Sequence, residues 1–308
     1  MNSLSSILKI PAAKRELKGR FFYKKSVKNL SWFKTGGILE YLYIPKNEND
    51  LTILLESLSP DIDLNIFGKF SNVLIRDGGL SGLSILIPSD FKKITQIDNY
   101  TVNVGSGSLD KYIAKKSIDY EIGGLEFLIG IPGTIGGGVI MNAGCYGSEF
   151  KDIILDVDLI SRDGKKIKKK LNDINFSYRN SQISKNFIIT SVTIKGYKKD
   201  KEKIEKKIKA IKKKRISSQP QGFPTGGSTF KNTKNYKAWE LIERSGLSGL
   251  KYGDAMISDV HNNFLINLGN AKASDFENLG NIILNRVKKE FGITMNWEIQ
   301  ILGSDDTN

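Results

Sequence analysis

Gly130–Gly147 reads GIPGTIGGGVIMNAGCYG. Pro132 stiffens the entry to this stretch, and Thr134 carries a hydroxyl that can donate a hydrogen bond. Gly136, Gly137 and Gly138 then remove three side chains in a row, which lets backbone approach a ligand closely. Three consecutive glycines also lose much conformational freedom on folding, so packing alone is a costly reason for them. The stretch therefore reads as a ligand-contacting loop.

The segments on either side decide the fold class. Before it come strand-like Leu39–Ile44, Leu64–Phe67, Ser84–Ile87 and Thr101–Val104, with helices expected over Glu48–Leu58 and Leu109–Lys116. After it come strands at Ile153–Ile160 and Phe187–Ile194. The chain is α+β, without the regular strand–helix alternation of a doubly wound parallel sheet. In Lys198–Arg215, Ile204, Ile208 and Ile211 recur at helical spacing among lysines, which predicts an amphipathic helix acting as a linker. Turn formers crowd Gln219–Gly227, and a helix is expected from about Tyr236 to Ser245, closed by Gly246. Another opens at Ser274, with Glu277 at capping-box distance, and ends near Gly292. In Ile293–Ile301 the residues Ile293, Met295, Trp297, Ile299 and Ile301 fall on one strand face, and Glu298 on the other. Gly303–Asn308 is expected to fray.

Two further glycine segments compete as phosphate cradles. Gly105–Asp110, GSGSLD, starts like a dinucleotide fingerprint but places Asp110 at the third glycine, the wrong sign beside a pyrophosphate; it reads as a plain turn. Gly68–Asp77, GKFSNVLIRD, follows a short strand and is equally compatible with an anion-binding nest and an ordinary turn.

Composition excludes several chemistries. A single cysteine, Cys145, leaves no internal disulfide and suits a reducing compartment. A single histidine, His261, cannot complete a zinc site of the usual kind with it, so no metal is expected. No apolar run approaches membrane-spanning length, and the N-terminal twenty residues lack the charge order of an export signal. The expected place is the cytoplasm. Of 47 basic residues 39 are lysine, and the net charge is +14. The lysine-rich helix reads first as a solvated surface; no aromatic residues interleave it as nucleic-acid binding would want, and a general attraction for anionic ligands is the remaining use.

In order along the chain, SWFKTGG (31–37), GKFSNVLIRD, GIPGTIGGGVIMNAGCYG, FSYRNS (176–181), GGSTFKN (226–232), GDAMISDVHNNFLIN (253–267) and FGITMNWEIQILG (291–303) resemble the UDP-N-acetylenolpyruvoylglucosamine reductases, flavin enzymes of bacterial peptidoglycan precursor synthesis. The resemblance covers almost the whole chain. It implies an FAD-binding domain of the vanillyl-alcohol-oxidase (PCMH) type in two subdomains, at 1–90 and 91–200. A smaller α/β substrate domain would follow at 201–302, then a tail at 303–308. The short interval from Arg179 to Ser228 is similar to the compact branch, which lacks a substrate-capping loop carrying a tyrosine. Departures stand at Phe70, where a second glycine is usual, at Thr233 for proline, at Asp254 for a small residue, and at Cys145 for alanine.

The resemblance implies non-covalent FAD, NADPH as co-substrate and a nucleotide-sugar substrate, on a chain expected to act as a monomer. FAD contacts carry over to Gly68, Ser71, Asn72, Ile131, Pro132, Gly133, Thr134, Gly136, Gly137, Asn142, Ala143 and Gly144. Reduction of an enol ether delivers hydride to the β-carbon and leaves charge at the α-carbon, spread into a carboxylate. Such a site needs a cation at that carboxylate and an acid at that carbon. The matching residues are Arg179, whose planar fork suits a carboxylate, Ser228 as proton donor, and Glu298 assisting at the same carbon. Lys231 and Asn232 match substrate contacts. Tyr178 is either a pocket or a core residue, and His261 fits a structural role better than acid–base work. Two competing readings are a sugar or lactone oxidase on the same flavin fold, which need not carry the GGSTFKN serine, and a non-catalytic basic binding protein.

Overall fold

A computed structural model describes residues 7–9, 16–88, 91 and 93–305. By its contacts the chain divides into two compact units, each assembled from three separated pieces. The first comprises Met1–Tyr23, Tyr41–Lys69 and Gly82–Lys214; the second comprises Lys24–Glu40, Phe70–Ser81 and Arg215–Asn308. This division differs from one drawn along the sequence at residues 90, 200 and 302.

The first unit has two apolar cores. One forms around helix α1 (Glu48–Ser57), which starts because the Asn47 side chain accepts the Asp50 N–H at 2.9 Å. Leu51, Leu54 and Leu55 share one helix face and are buried with Tyr43, Leu83 and Ile85. Beside them Leu64–Phe67 pairs in parallel with Leu83–Leu86, so the chain leaves that short strand directly into Gly68.

The second core lies against a five-stranded antiparallel sheet. Its order is Lys166–Lys170, Ile154–Ser161, Phe187–Lys195, Thr101–Gly105, Ile94–Asp98. Val157, Val192 and Val104 sit opposite one another on three successive strands and are fully buried. Packed in this unit are α2 (Asp110–Asp119), the short α3 (Ile135–Ile140) and α4 (Lys201–Ser218) as far as Lys214. The lysine-rich helix forms as its periodicity predicts and carries the chain from the first unit into the second between Lys214 and Arg215, while most of its length is also core-forming. Ile204, Ile208 and Ile211 are buried in this core, and each contributes about 1.5–3 kcal/mol of apolar burial.

The second unit holds a four-stranded antiparallel sheet in the order Thr225–Ser228, Phe264–Asn267, Ala255–Ile257, Lys251–Tyr252. Helices α5 (Ala238–Arg244) and α6 (Ala273–Phe291) cover it, α6 with Phe276, Leu279, Ile283 and Val287 inward, ending at left-handed Gly292. The expected Ser274–Glu277 capping box does not form. The Asp77 carboxylate takes the Ala273 and Ser274 N–H groups at 2.9 Å each, and Glu277 is held instead by Arg76 in a two-pronged ion pair.

Two expectations for the C-terminus change. A strand forms only over Gln300–Leu302, parallel to Val73–Ile75, although the alternation of faces persists upstream: Met295 and Ile299 lie in the core with Ile293 and Trp297 against it. The tail is tied down where it is described, because Ser304 exchanges backbone hydrogen bonds with Gly78 and Gly79 and Asp305 pairs with Arg76. Residues 306–308, and the N-terminal stretches 1–6 and 10–15, lie outside the described residues.

Candidate active site

The glycine loops of the first unit meet each other. A Cβ on Gly68 would stand 2.4 Å from the Thr134 hydroxyl, so glycine at 68 is what lets the two loops touch. Thr134 is the N-cap of α3, its hydroxyl accepting the Gly137 N–H at 3.4 Å. The glycine run then separates into two uses. A Cβ on Gly136 would press on Ser106 at 2.9 Å, and one on Gly138 would enter the Phe150 ring at 2.2 Å. Those two are demanded by the protein's own packing. Gly137 is exposed, with only the Thr134 hydroxyl near its missing side chain, and it alone presents an open backbone face.

Gly105–Asp110 is a brace behind this loop, which agrees with its reading as a turn. Asp110 N–H donates to Gly133 O (3.3 Å), Ile135 N–H to Ser108 O and Gly136 N–H to Ser106 O (both 2.9 Å). The side chains of the brace are buried. The Ser106 and Ser108 hydroxyls and both Asp110 oxygens have no hydrogen-bond partner among the described residues. Burial pushes the Asp110 carboxyl well above the usual carboxylate range.

Asn142 is also fully buried, with its backbone left-handed at φ 40°. Its Nδ2 donates to Ser177 O and its Oδ1 accepts the Lys151 N–H, both at 3.0 Å. The first of these bonds pins the FSYRNS loop. Ser177 and Asn180 close a tight turn with two backbone bonds, and Arg179 stands inside it at φ 57°. The Arg179 guanidinium lies 4.9 Å from the Tyr178 ring and donates Nη2–H to Gly144 O at 3.0 Å. Tyr178 is exposed, which removes the core alternative for it.

The second unit carries Ser71, Asn72, Ser228, Lys231, Asn232 and Glu298. Ser228 closes its strand directly after a bulge, where Thr225 and Ser228 face Ile266 and Phe264, and Gly227 supplies the left-handed turn at φ 82°. The next carbonyl, of Thr229, accepts the Glu298 N–H at 2.8 Å. Ser228 and Glu298 are thus held one peptide apart, and both are half-buried. Asn72 donates its side-chain N–H to Glu298 O at 3.0 Å, so this amide serves the glutamate's segment. Asn232 accepts the Ala238 N–H at 2.9 Å at the start of α5, and the Lys231 N–H donates to Asn296 O at 2.8 Å. The His261 Nδ1 accepts the Asn263 N–H at 3.2 Å, which puts the proton of the neutral ring on Nε2. Burial also lowers its affinity for a second proton. Phe70 takes φ 49° and is buried, so the backbone here adopts the turn that a glycine would adopt more easily. Sequence reading assigned no role to Asn263, which lies within the stretch GDAMISDVHNNFLIN and bonds both backbone groups of Phe230 after Ser228.

An open glycine backbone beside a threonine hydroxyl, joined to a second small-residue loop at Gly68, fits the diphosphate of a flavin dinucleotide. Residues 39–168 match the FAD binding domain family, and residues 219–302 match UDP-N-acetylenolpyruvoylglucosamine reductase, C-terminal domain. The fold is the expected α+β arrangement with a PCMH-type FAD-binding domain, and the class is an FAD-dependent oxidoreductase. The UDP-N-acetylenolpyruvoylglucosamine reductase of Orientia tsutsugamushi (strain Ikeda) is 43% identical over 97% of this chain and 99% of its own length. That of Rickettsia rickettsii (strain Sheila Smith) is 42% identical over 93% and 97%. The crystal structure of the Thermus caldophilus enzyme superposes with a TM-score of 0.79 at 29% identity, over 93% of this chain and 99% of that one. The chain belongs to the UDP-N-acetylenolpyruvoylglucosamine reductase family.

Proposed function

We propose a division of labour among this chain's residues for the family's reaction. That reaction is the NADPH-dependent reduction of UDP-N-acetylglucosamine enolpyruvate to UDP-N-acetylmuramate, a step of peptidoglycan precursor synthesis. FAD, when bound, would supply the hydride that the β-carbon of the enol ether receives, with NADPH as the reductant. Gly68, Ser71, Asn72, Ile131–Thr134, Gly136, Gly137 and Asn142–Gly144 form the loops that would hold the flavin, with Gly137 at the diphosphate and Asn142 acting from behind.

Arg179 binds the substrate carboxylate, where charge gathers as the hydride arrives. One of its N–H groups is given to Gly144 O, which orients the planar group toward a two-bond grip on the carboxylate. Ser228 gives its hydroxyl proton to the α-carbon. An alcohol is a weak acid and can serve only against a strongly basic carbon, which is what hydride addition creates. Glu298 assists at that carbon, and Tyr178, Lys231 and Asn232 bind the polar parts of the nucleotide sugar. The single cysteine, Cys145, suits action in the cytoplasm, where we place the chain as a monomer. The carrying observation is the hydrogen bond from Glu298 N–H to Thr229 O at 2.8 Å, which joins the glutamate's segment to the serine's.

The test is Ser228→Ala, followed by anaerobic stopped-flow of the two half-reactions. FAD content and flavin reduction by NADPH stay near normal, whereas reoxidation by the enolpyruvyl sugar slows about 10²–10⁴-fold, the range for a lost general acid. Reoxidation at the wild-type rate would remove Ser228 from the mechanism.

A further inference from the structure

Ser228 is the last residue of its strand, and the ladder to Phe264–Asn267 is already broken by the bulge before it. An antiparallel bridge from Phe230 to Trp297 pairs one side of the segment that follows, and something other than strand pairing must hold the other side. Thr229 and Phe230 are almost wholly buried, at 0% and 1% exposure, so water cannot satisfy their backbone groups.

The partner is Asn263. Its Oδ1 accepts the Phe230 N–H at 2.9 Å, and its Nδ2 donates to Phe230 O at 2.8 Å. A side-chain amide carries the same donor and acceptor as a peptide, and here it stands in for the missing strand neighbour. The Asn263 backbone carbonyl adds a third bond, from Thr229 N–H at 2.8 Å. Thr229 in turn offers its carbonyl to Glu298 N–H. Asn263 is itself fixed by its N–H bond to His261 Nδ1 and is 4% exposed. The His261 ring is wedged against Phe264 at 4.6 Å and Trp239 at 6.4 Å.

We propose that Asn263 is a positioning residue for proton transfer: its amide replaces the broken ladder on the Phe264 side and, with the bridge from Phe230 to Trp297, sets the offset between Ser228 and Glu298. The proposal rests on the reading of Ser228 as proton donor. Both backbone groups of Phe230 are held by this one side chain, and no contact of Asn263 with substrate or cofactor is invoked.

A double-mutant cycle tests it, on the FAD-loaded protein, by stopped-flow. Asn263→Ala should leave flavin content and reduction by NADPH near normal. It should slow reoxidation by the enolpyruvyl sugar about 10- to 100-fold, as expected of a misplaced reacting group. Added to Ser228→Ala, it should slow reoxidation by less than about threefold more, because a residue acting only through the serine has nothing left to position. Asn263→Asp, which keeps the acceptor for Phe230 N–H, should fall between wild type and the alanine variant; it carries the test if the alanine variant does not fold. Parallel losses in both half-reactions, or full additivity with Ser228→Ala, would show a merely structural residue and overturn the proposal. Reoxidation of the folded Asn263 variants at the wild-type rate beside a slow Ser228→Ala overturns it alone. A Ser228→Ala variant with normal reoxidation removes the underlying reading instead.

Discussion

The glycine loop of the first unit and the serine strand of the second are both held from behind, by opposite means. Behind Gly133–Gly136 the brace Ser106–Asp110 uses backbone groups alone, and its own polar side chains are left buried without a hydrogen-bond partner among the described residues. Behind Ser228–Phe230 the support is a side-chain amide, Asn263, with Asn72 doing the same for Glu298. Backbone support is indifferent to residue type, so it tolerates and can even gain from substitution. Side-chain support is specific, because only one amide of one length fits. The FSYRNS loop follows the second pattern inside the first unit, through Asn142.

Arg179 is where support and the proposed function share one side chain, and the largest effect on this comparison is expected there. Lysine at 179 keeps the charge but loses the planar fork, so it cannot both hold Gly144 O and grip a carboxylate with two bonds. Arg179→Lys should cost about 1.5–3 kcal/mol in transition-state binding, the size of a charged hydrogen bond, with flavin content unchanged. Steady-state kcat/KM for the enolpyruvyl sugar measures it. Near-normal kcat/KM would place the arginine away from the carboxylate.

Asn142→Ala comes next and sharpens the contrast. It leaves Ser177 O and Lys151 N–H without their partner around a fully buried position, which costs about 2 kcal/mol of stability. The thermal midpoint should fall by several degrees. An unchanged midpoint would mean that the loop is held by its backbone after all, as the Gly105–Asp110 brace is.

What could be read from the sequence follows the range of the interaction concerned. The helices α1, α4 and α6 and the cap at Gly292 were legible because their signals are local: Leu51, Leu54 and Leu55, or Ile204, Ile208 and Ile211, report a helix within a few residues. The glycine run at 136–138 was legible as special but not as mixed in use, since Ser106 and Phe150, which demand two of its members, are distant in sequence. The division into units was hidden for the same reason. Arg76 and Asp77 join the second unit through Glu277 and the start of α6, with sequence separations of 201 and 196 residues. Those same two contacts displaced the expected capping box. The resemblance carried Ser228, Arg179 and Glu298 as family positions, but Asn263, although inside one of its segments, had nothing local to mark it as the support of a backbone segment 33 residues away.

The smallest effect, and the only stabilising one, is expected at Asp110, where the backbone brace keeps a carboxyl it does not use. Its folded-state affinity for a proton is raised by burial, with no hydrogen-bond partner among the described residues to offset that burial. A group of this kind contributes stability that is complete below its unfolded value, near ~3.9, and that is lost as pH rises through the raised folded value. At neutral pH the folded protein therefore carries either a proton held against solution or a buried charge. An asparagine side chain has the same shape as the protonated acid and no proton to lose. Asp110→Asn should raise stability at neutral pH by about 1 kcal/mol, the usual size of a single stabilising change. It should also flatten the fall in thermal midpoint between mildly acidic and neutral pH. Because the brace works through the Asp110 N–H and the Ser106 and Ser108 carbonyls, none of which the substitution touches, FAD content should not change. Thermal melts of both proteins across that pH range, with flavin absorbance read alongside, decide it. A variant that melts lower than the wild type at every pH would mean that the carboxyl has a partner which the brace geometry does not reveal, and that the two supports are less different than their hydrogen bonds suggest.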